Sequence, residues 1–183
     1  MTQFQIHTIE SAPEKSKAPL QGLQSKFGFI PNVAATMAGS PALINAFIGG
    51  FSAFHGGSFN EREKQIVLLT DAVVIGSPWT VAFHSTMALE AGVPAADVEA
   101  VRQGCLPANP QYAALSAMAK ALIEKRGRVS DAEIEAFASA GYSETQILEV
   151  INAIGISTMA ALAGNLAGTP VEDRLAAQVW AAA

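Results

Sequence analysis

Apolar residues recur along this chain every three or four positions and nowhere settle into an alternation of two. That spacing builds helices and leaves a sheet no face to bury, so the expectation is an all-α fold. Residues 1–17 hold Pro13 and mostly polar side chains and read as an extended N-terminal arm. Leu20, Leu23 and Phe27 open the first helix, which Gly28 can end. Pro31 suits the first turn of a second. A third follows Ser40 and Pro41 and runs through Leu43, Phe47 and Ile48 to Phe54, before Gly56 and Gly57. Asn60 can cap a helix from Glu61 to about Ile75, where Gly76 and Pro78 interrupt it. Another is expected from about Pro78 to Ala91, and beyond Gly92 a short helix carries Asp97 and Val101 into a loop with Pro107 and Pro110. The remaining predicted helices span 111–125, 130–140, 143 to about 162, and 171–180. Two of these open on capping-box pairs, Ser130 with Glu133 and Ser143 with Gln146.

At 183 residues the chain suits one core, so 1–183 is read as a single domain. Half of its residues are hydrophobic and 15% are charged, which predicts both a generous core and a covered subunit interface. Eleven Lys and Arg stand against 16 Asp and Glu, and no basic cluster exceeds Lys125-Arg126, so no nucleic-acid partner is expected. No uninterrupted apolar run reaches the roughly 18 residues of a membrane span; the nearest, Val67 to Ile75, is broken by Asp71. The N-terminus has no basic segment followed by an apolar one, and Cys105 is the single cysteine. These point to no secretory signal, no internal disulfide and a cytoplasmic location. No phosphate-cradling glycine loop, metal-ligand pair or serine-hydrolase elbow is seen, so neither metal nor cofactor is expected.

His84 is the most suggestive side chain. Thr80 and Ser77 precede it by four and seven residues, which places them on its face of the helix, with Pro78 leaving Ser77 at the very start of the turn. A histidine among hydroxyls can act as a general base or orient an activated hydroxyl. The alternative is a buried structural histidine bonded to a carbonyl. Glu61, Glu63 and Gln65 open the preceding helix, where acidic residues suit the helix dipole and a solvated role is the default. His55 is either a second polar group near the site or a helix-end residue. Cys105 has no neighbouring base to activate it and reads as structural or incidental. Trp79 and Trp180 read as core or interface anchors.

The segment Arg62-Glu63-Lys64-Gln65 through Ala82-Phe83-His84-Ser85 resembles the core motif of the carboxymuconolactone decarboxylase/alkylhydroperoxidase D-like (AhpD-like) superfamily. Phe27 to Asn32 with Ser40-Pro41, Glu124 to Ser130, Ala140 to Tyr142 with Ile147 to Val150, and Asn165 with Ala167 to Pro170 extend the likeness over nearly the whole chain. The outer parts look closer to the peroxidase-related branch. The resemblance implies an AhpD-like helical bundle and a homo-oligomer, a trimer or a hexamer. Counting back from His84, the family's Cys-x-x-Cys pair falls on Ser77 and Thr80, and its proton-relay glutamate falls on Gln65, with Glu63 two positions away. The family's peroxide reduction needs a thiolate and a second cysteine to resolve the sulfenic acid, so thiol peroxidase activity is not expected. The decarboxylase branch is similar in having a histidine without that pair. The function expected is therefore cofactor-independent acid–base catalysis on a small carbonyl compound, with His84 in an apolar pocket and Ser77, Thr80, Gln65 and Glu63 around it. The alternatives are a non-catalytic ligand-binding or assembly homologue and an alkylhydroperoxidase-like antioxidant protein.

Overall fold

The computed structural model describes residues 4–181, which form α1 (Glu14–Phe27), α2 (Asn32–Met37), α3 (Pro41–His55), α4 (Glu61–Ile75), α5 (Pro78–Glu90), α6 (Ala95–Arg102), α7 (Pro110–Glu124), α8 (Asp131–Ser139), α9 (Glu144–Ala167) and a 3₁₀ turn (Asp173–Gln178). There is no strand among the described residues. Helix α4 packs on α5, α6, α7 and α9, and α9 reaches α2, α3, α4, α5 and α7, so these two helices form the centre. They run in the same direction. Ser58 N, just before α4, donates to Glu149 Oε2 near the start of α9, and Asn165 Nδ2 near its end donates to the carbonyl of Gly76, just past α4.

Local chemistry explains the joints. Asn60 and Glu63 close a capping box at the start of α4, and Ser143 with Gln146 does the same for α9. Gly76 ends α4 with φ +74°, a left-handed conformation that a side chain would strain. One residue later Pro78 opens α5 at a position where its missing N–H costs nothing. The α4–α5 joint is therefore short and closely specified, and it is this joint that carries Ser77.

Three boundaries differ from the sequence expectation. Helix α1 begins at Glu14, inside the stretch expected to be an extended arm, and continues through Pro19. Proline removes the donor that would bond Lys15 O, and that carbonyl instead accepts from Asn45 Nδ2 at 3.0 Å. The remaining arm is tied down as well: His7 N donates to Ala35 O, Ala12 is buried, and Ser16 Oγ donates to Ala38 O at 2.7 Å. Helix α9 runs five residues past the expected end, to Ala167. By length and composition alone it could cross a membrane, which a search for an unbroken apolar run misses because Asn, Ser and Thr punctuate it. Here it is a central packing helix. Finally, the helix expected over 171–180 is only a 3₁₀ turn, tied at both ends to distant parts of the fold. Glu172 binds Asn32 N and Trp79 Nε1, and Arg102 takes the carbonyls of Gln178 and Val179.

Candidate functional site

Helices α4 and α5 face each other across the joint at Gly76 and bring Gln65 and His84 together. His84 Nδ1 lies 2.9 Å from Gln65 Oε1, and both residues are buried. An amide oxygen only accepts, so Nδ1 carries the ring proton and Nε2 is left as a bare acceptor. Nε2 has no hydrogen-bond partner among the described residues. Burial, and secondarily the nearby His55, lower the His84 pKa from 6.5 to about 3, so the ring is neutral near pH 7. The structural alternative of a histidine bonded to a backbone carbonyl does not describe this ring.

His84 lines a pocket bounded by side chains of α1, α2, α3, α4, α5 and α9. Its walls are aromatic. Trp79 and Phe83 stack at 5.1 Å, Phe47 and Phe51 stack at 5.8 Å, and Phe27 meets Phe83 edge-on at 5.5 Å. Polar character comes from Thr80, His84 and Ser157, and no Lys, Arg, Asp or Glu lines the space. The cavity volume is about 40 Å³, room for roughly three water molecules. An organic occupant is therefore small and displaces a side chain on entry, for which the flexible Met37 in the wall is suited.

The other residues singled out from the sequence are distributed as follows. Ser77 and Thr80 are both fully buried, their hydroxyls 2.9 Å apart. Thr80 lines the pocket, whereas Ser77 stands behind it against α9, close to Gly164. This hydroxyl pair occupies the place where the family resemblance sets two cysteines. Glu63 is not brought to His84. Its Oε2 accepts from Asn60 N in the capping box, and its Oε1 accepts from Tyr142 OH, each at 2.9 Å. The reason is geometric: two residues along a helix are about 200° apart, so Glu63 and Gln65 point to opposite sides. His55 packs at 4.2 Å on Phe51, behind the pocket wall, and burial lowers its pKa to about 4. Cys105 is exposed in the loop after α6, away from the pocket. Trp79 is at once core and pocket wall, its indole N–H donating to Glu172 Oε2 at 2.7 Å, and Trp180 Nε1 anchors the C-terminal segment on Arg102 O. Among the described residues no group of three or more His, Cys, Asp or Glu is placed to hold a metal ion. Sequence reasoning missed the aromatic wall and Ser157, which no motif marks. The only signal for Ser157 was a hydroxyl in the middle of an apolar helix.

No family model and no curated protein matches the chain. Solved structures do. An uncharacterised peroxidase-related protein from Ralstonia eutropha JMP134, described as an alkylhydroperoxidase AhpD core, superposes with a TM-score of 0.83 at 17% identity, covering 94% of this chain and 93% of its own. The debrominase Bmp8, in a cysteine-to-alanine variant complexed with 2,3,4-tribromopyrrole, gives a TM-score of 0.79 at 21% identity over 97% of this chain and 96% of its own. A peroxidase-related protein from Silicibacter sp. TM1040 gives 0.76 at 15% identity, covering 97% and 94%. Likeness along nearly the full length of both partners, in a chain built wholly of helices, identifies this protein as having the all-α fold of the alkylhydroperoxidase AhpD core.

Proposed function

We propose that the pocket is a cofactor-independent acid–base site for a small, uncharged carbonyl compound, with His84 Nε2 as the proton acceptor. The observation that carries this reading is the buried 2.9 Å contact from His84 Nδ1 to Gln65 Oε1, which leaves Nε2 unprotonated in an apolar, aromatic-walled space. In such a site the C–H bond next to the carbonyl breaks, the proton passes to Nε2, and the electron pair moves onto the carbonyl oxygen as an enolate. A ring with so low a proton affinity holds that proton only briefly and gives it up to solvent or back to the enolate, so a proton drawn from solvent can be returned in its place and the net result is exchange or isomerisation. Bmp8, of the same fold, holds a flat heteroaromatic ring, in keeping with a pocket walled by stacked rings. Ser77 and Thr80 cannot form the disulfide that a thiol peroxidase cycles through.

The test is exchange of ketone α-hydrogens for solvent deuterium, followed by NMR with cyclohexanone. Wild type should accelerate exchange and His84→Gln should abolish at least 90% of that acceleration. Equal rates in the two proteins sink the reading. Peroxide turnover with dithiothreitol is the companion measurement, with wild type inert.

The proposal includes assembly. Leu148, Ile151, Leu162 and Leu166 of α9 are all exposed and fall along one side of the helix, the apolar stripe expected of a face that copies of this chain share.

A further inference from the structure

Ser157 sits in the middle of α9, fully buried, and lines the same pocket as His84. Its Oγ has no hydrogen-bond partner among the described residues. The other buried helical hydroxyls among the described residues all have a partner; Ser85, for instance, accepts from Arg102 Nη1 and Ser116 from Thr70 Oγ1. Thr36 bonds to Asn32 O at 2.9 Å, Thr70 to Ile66 O at 2.8 Å and Thr86 to Ala82 O at 2.9 Å, each reaching the carbonyl four residues back. Ser157 forms no such bond to Ala153. A buried hydroxyl without a partner destabilises the fold, so an orphan in the wall of a pocket has its use in what the pocket binds. Among the described residues the other buried side chain without a partner is Asp71, which is not part of that wall.

The polar complement of the pocket then specifies a ligand. His84 Nε2 only accepts, the Thr80 hydroxyl is paired with that of Ser77, either of which can donate, and Ser157 is the lining hydroxyl with no partner among the described residues. A hydroxyl on an sp² carbon answers both open groups, since its proton goes to Nε2 and its oxygen lone pair accepts from Ser157. The absence of any charged lining residue disfavours carboxylates and amines, and the stacked ring pairs favour a flat molecule.

We propose that Ser157 is a ligand-binding residue of this pocket, donating to the oxygen of a small, flat, neutral enol whose hydroxyl proton is directed at His84 Nε2; this rests on the reading of His84 as the proton acceptor. Phenol is a stable stand-in for such an enol, and toluene matches its shape without the hydroxyl. Titration calorimetry of the full chain with both ligands should show wild type preferring phenol. Ser157→Ala should cut the phenol-to-toluene affinity ratio about tenfold with toluene affinity unchanged, and should melt no lower than wild type because it removes the orphan. Ser157→Cys, a weaker donor of similar size, should fall between. An unchanged ratio in both variants overturns the role of Ser157. If that happens while His84→Gln still lowers the ratio, the acid–base reading survives alone. If wild type binds neither ligand, both proposals fall.

Discussion

His84 and Asp71 are buried and His55 is half-buried, and the three shape how stability should depend on pH between about 4.5 and 6.5. Burial lowers the histidines from 6.5 to about 3 and about 4, and it raises the Asp71 carboxyl, both of whose oxygens lack partners, well above its ordinary 3.8. A depressed group is protonated in the unfolded chain but not in the folded one, so each histidine contributes stability that is present above pH 6.5 and is lost as pH falls towards its folded value. Asp71 has the opposite sign: its contribution is complete below 3.8 and is lost as pH rises. Between about pH 4.5 and 6.5 two histidines outweigh one aspartate, so urea denaturation should find stability climbing with pH. His84→Gln should flatten that climb by an amount on the order of 1–3 kcal/mol. Asp71→Asn should steepen it, because it removes the opposing contribution, and an unchanged slope in Asp71→Asn would show that Asp71 is not held protonated.

Among the elements, α3 and α9 approach closely at Gly50. A methyl group there would lie 2.6 Å from Ile156 Cγ2, and Ile156 is itself a pocket residue. Gly50→Ala gains about 1 kcal/mol of helix propensity and loses about 1–3 kcal/mol to overpacking, so the net change should be destabilising by up to about 2 kcal/mol. Truncating the neighbour removes the clash. In a double-mutant cycle with Ile156→Ala the pair should therefore cost less than the sum of the singles; simple additivity would mean the helices separate freely there. The same scale shows what was legible locally. The cap at Asn60, the capping boxes at Ser130 and Ser143 and the Gly76 stop stand where the sequence put them, because each depends on residues three or four apart. The start of α1 was misread, since Pro19 argues against a helix unless something distant satisfies Lys15 O, and Asn45 does so from thirty residues away.

For the whole molecule, the unresolved expense is the apolar side of α9. Leu162 and Leu166 are 58% and 73% exposed and continue into a surface groove with Phe4, Leu43 and Met159. Sedimentation velocity should find wild type as a trimer or hexamer. Leu162→Glu/Leu166→Glu should shift it to smaller species with its helical circular dichroism intact. A wild-type chain that sediments as a monomer at every concentration would remove α9 as an assembly face.

The sequence alone determined that this chain is helical, where most helices begin and end, and that it has no thiol pair beside His84. Periodicity, caps and residue identity act over one helical turn and can be read directly. It also marked Gln65, Thr80 and His84 as candidate site residues, although only the resemblance singled out Gln65. The tertiary structure decided which of these residues meet. Gln65 reaches His84 because the Gly76 joint folds α5 back on α4, while Glu63, two positions from Gln65, is turned away to Tyr142. It also decided that Ser157 faces the pocket and that Glu172, 93 residues from Trp79, braces its wall. Those contacts join helices far apart in sequence, and no local pattern encodes which face of one helix another will cover.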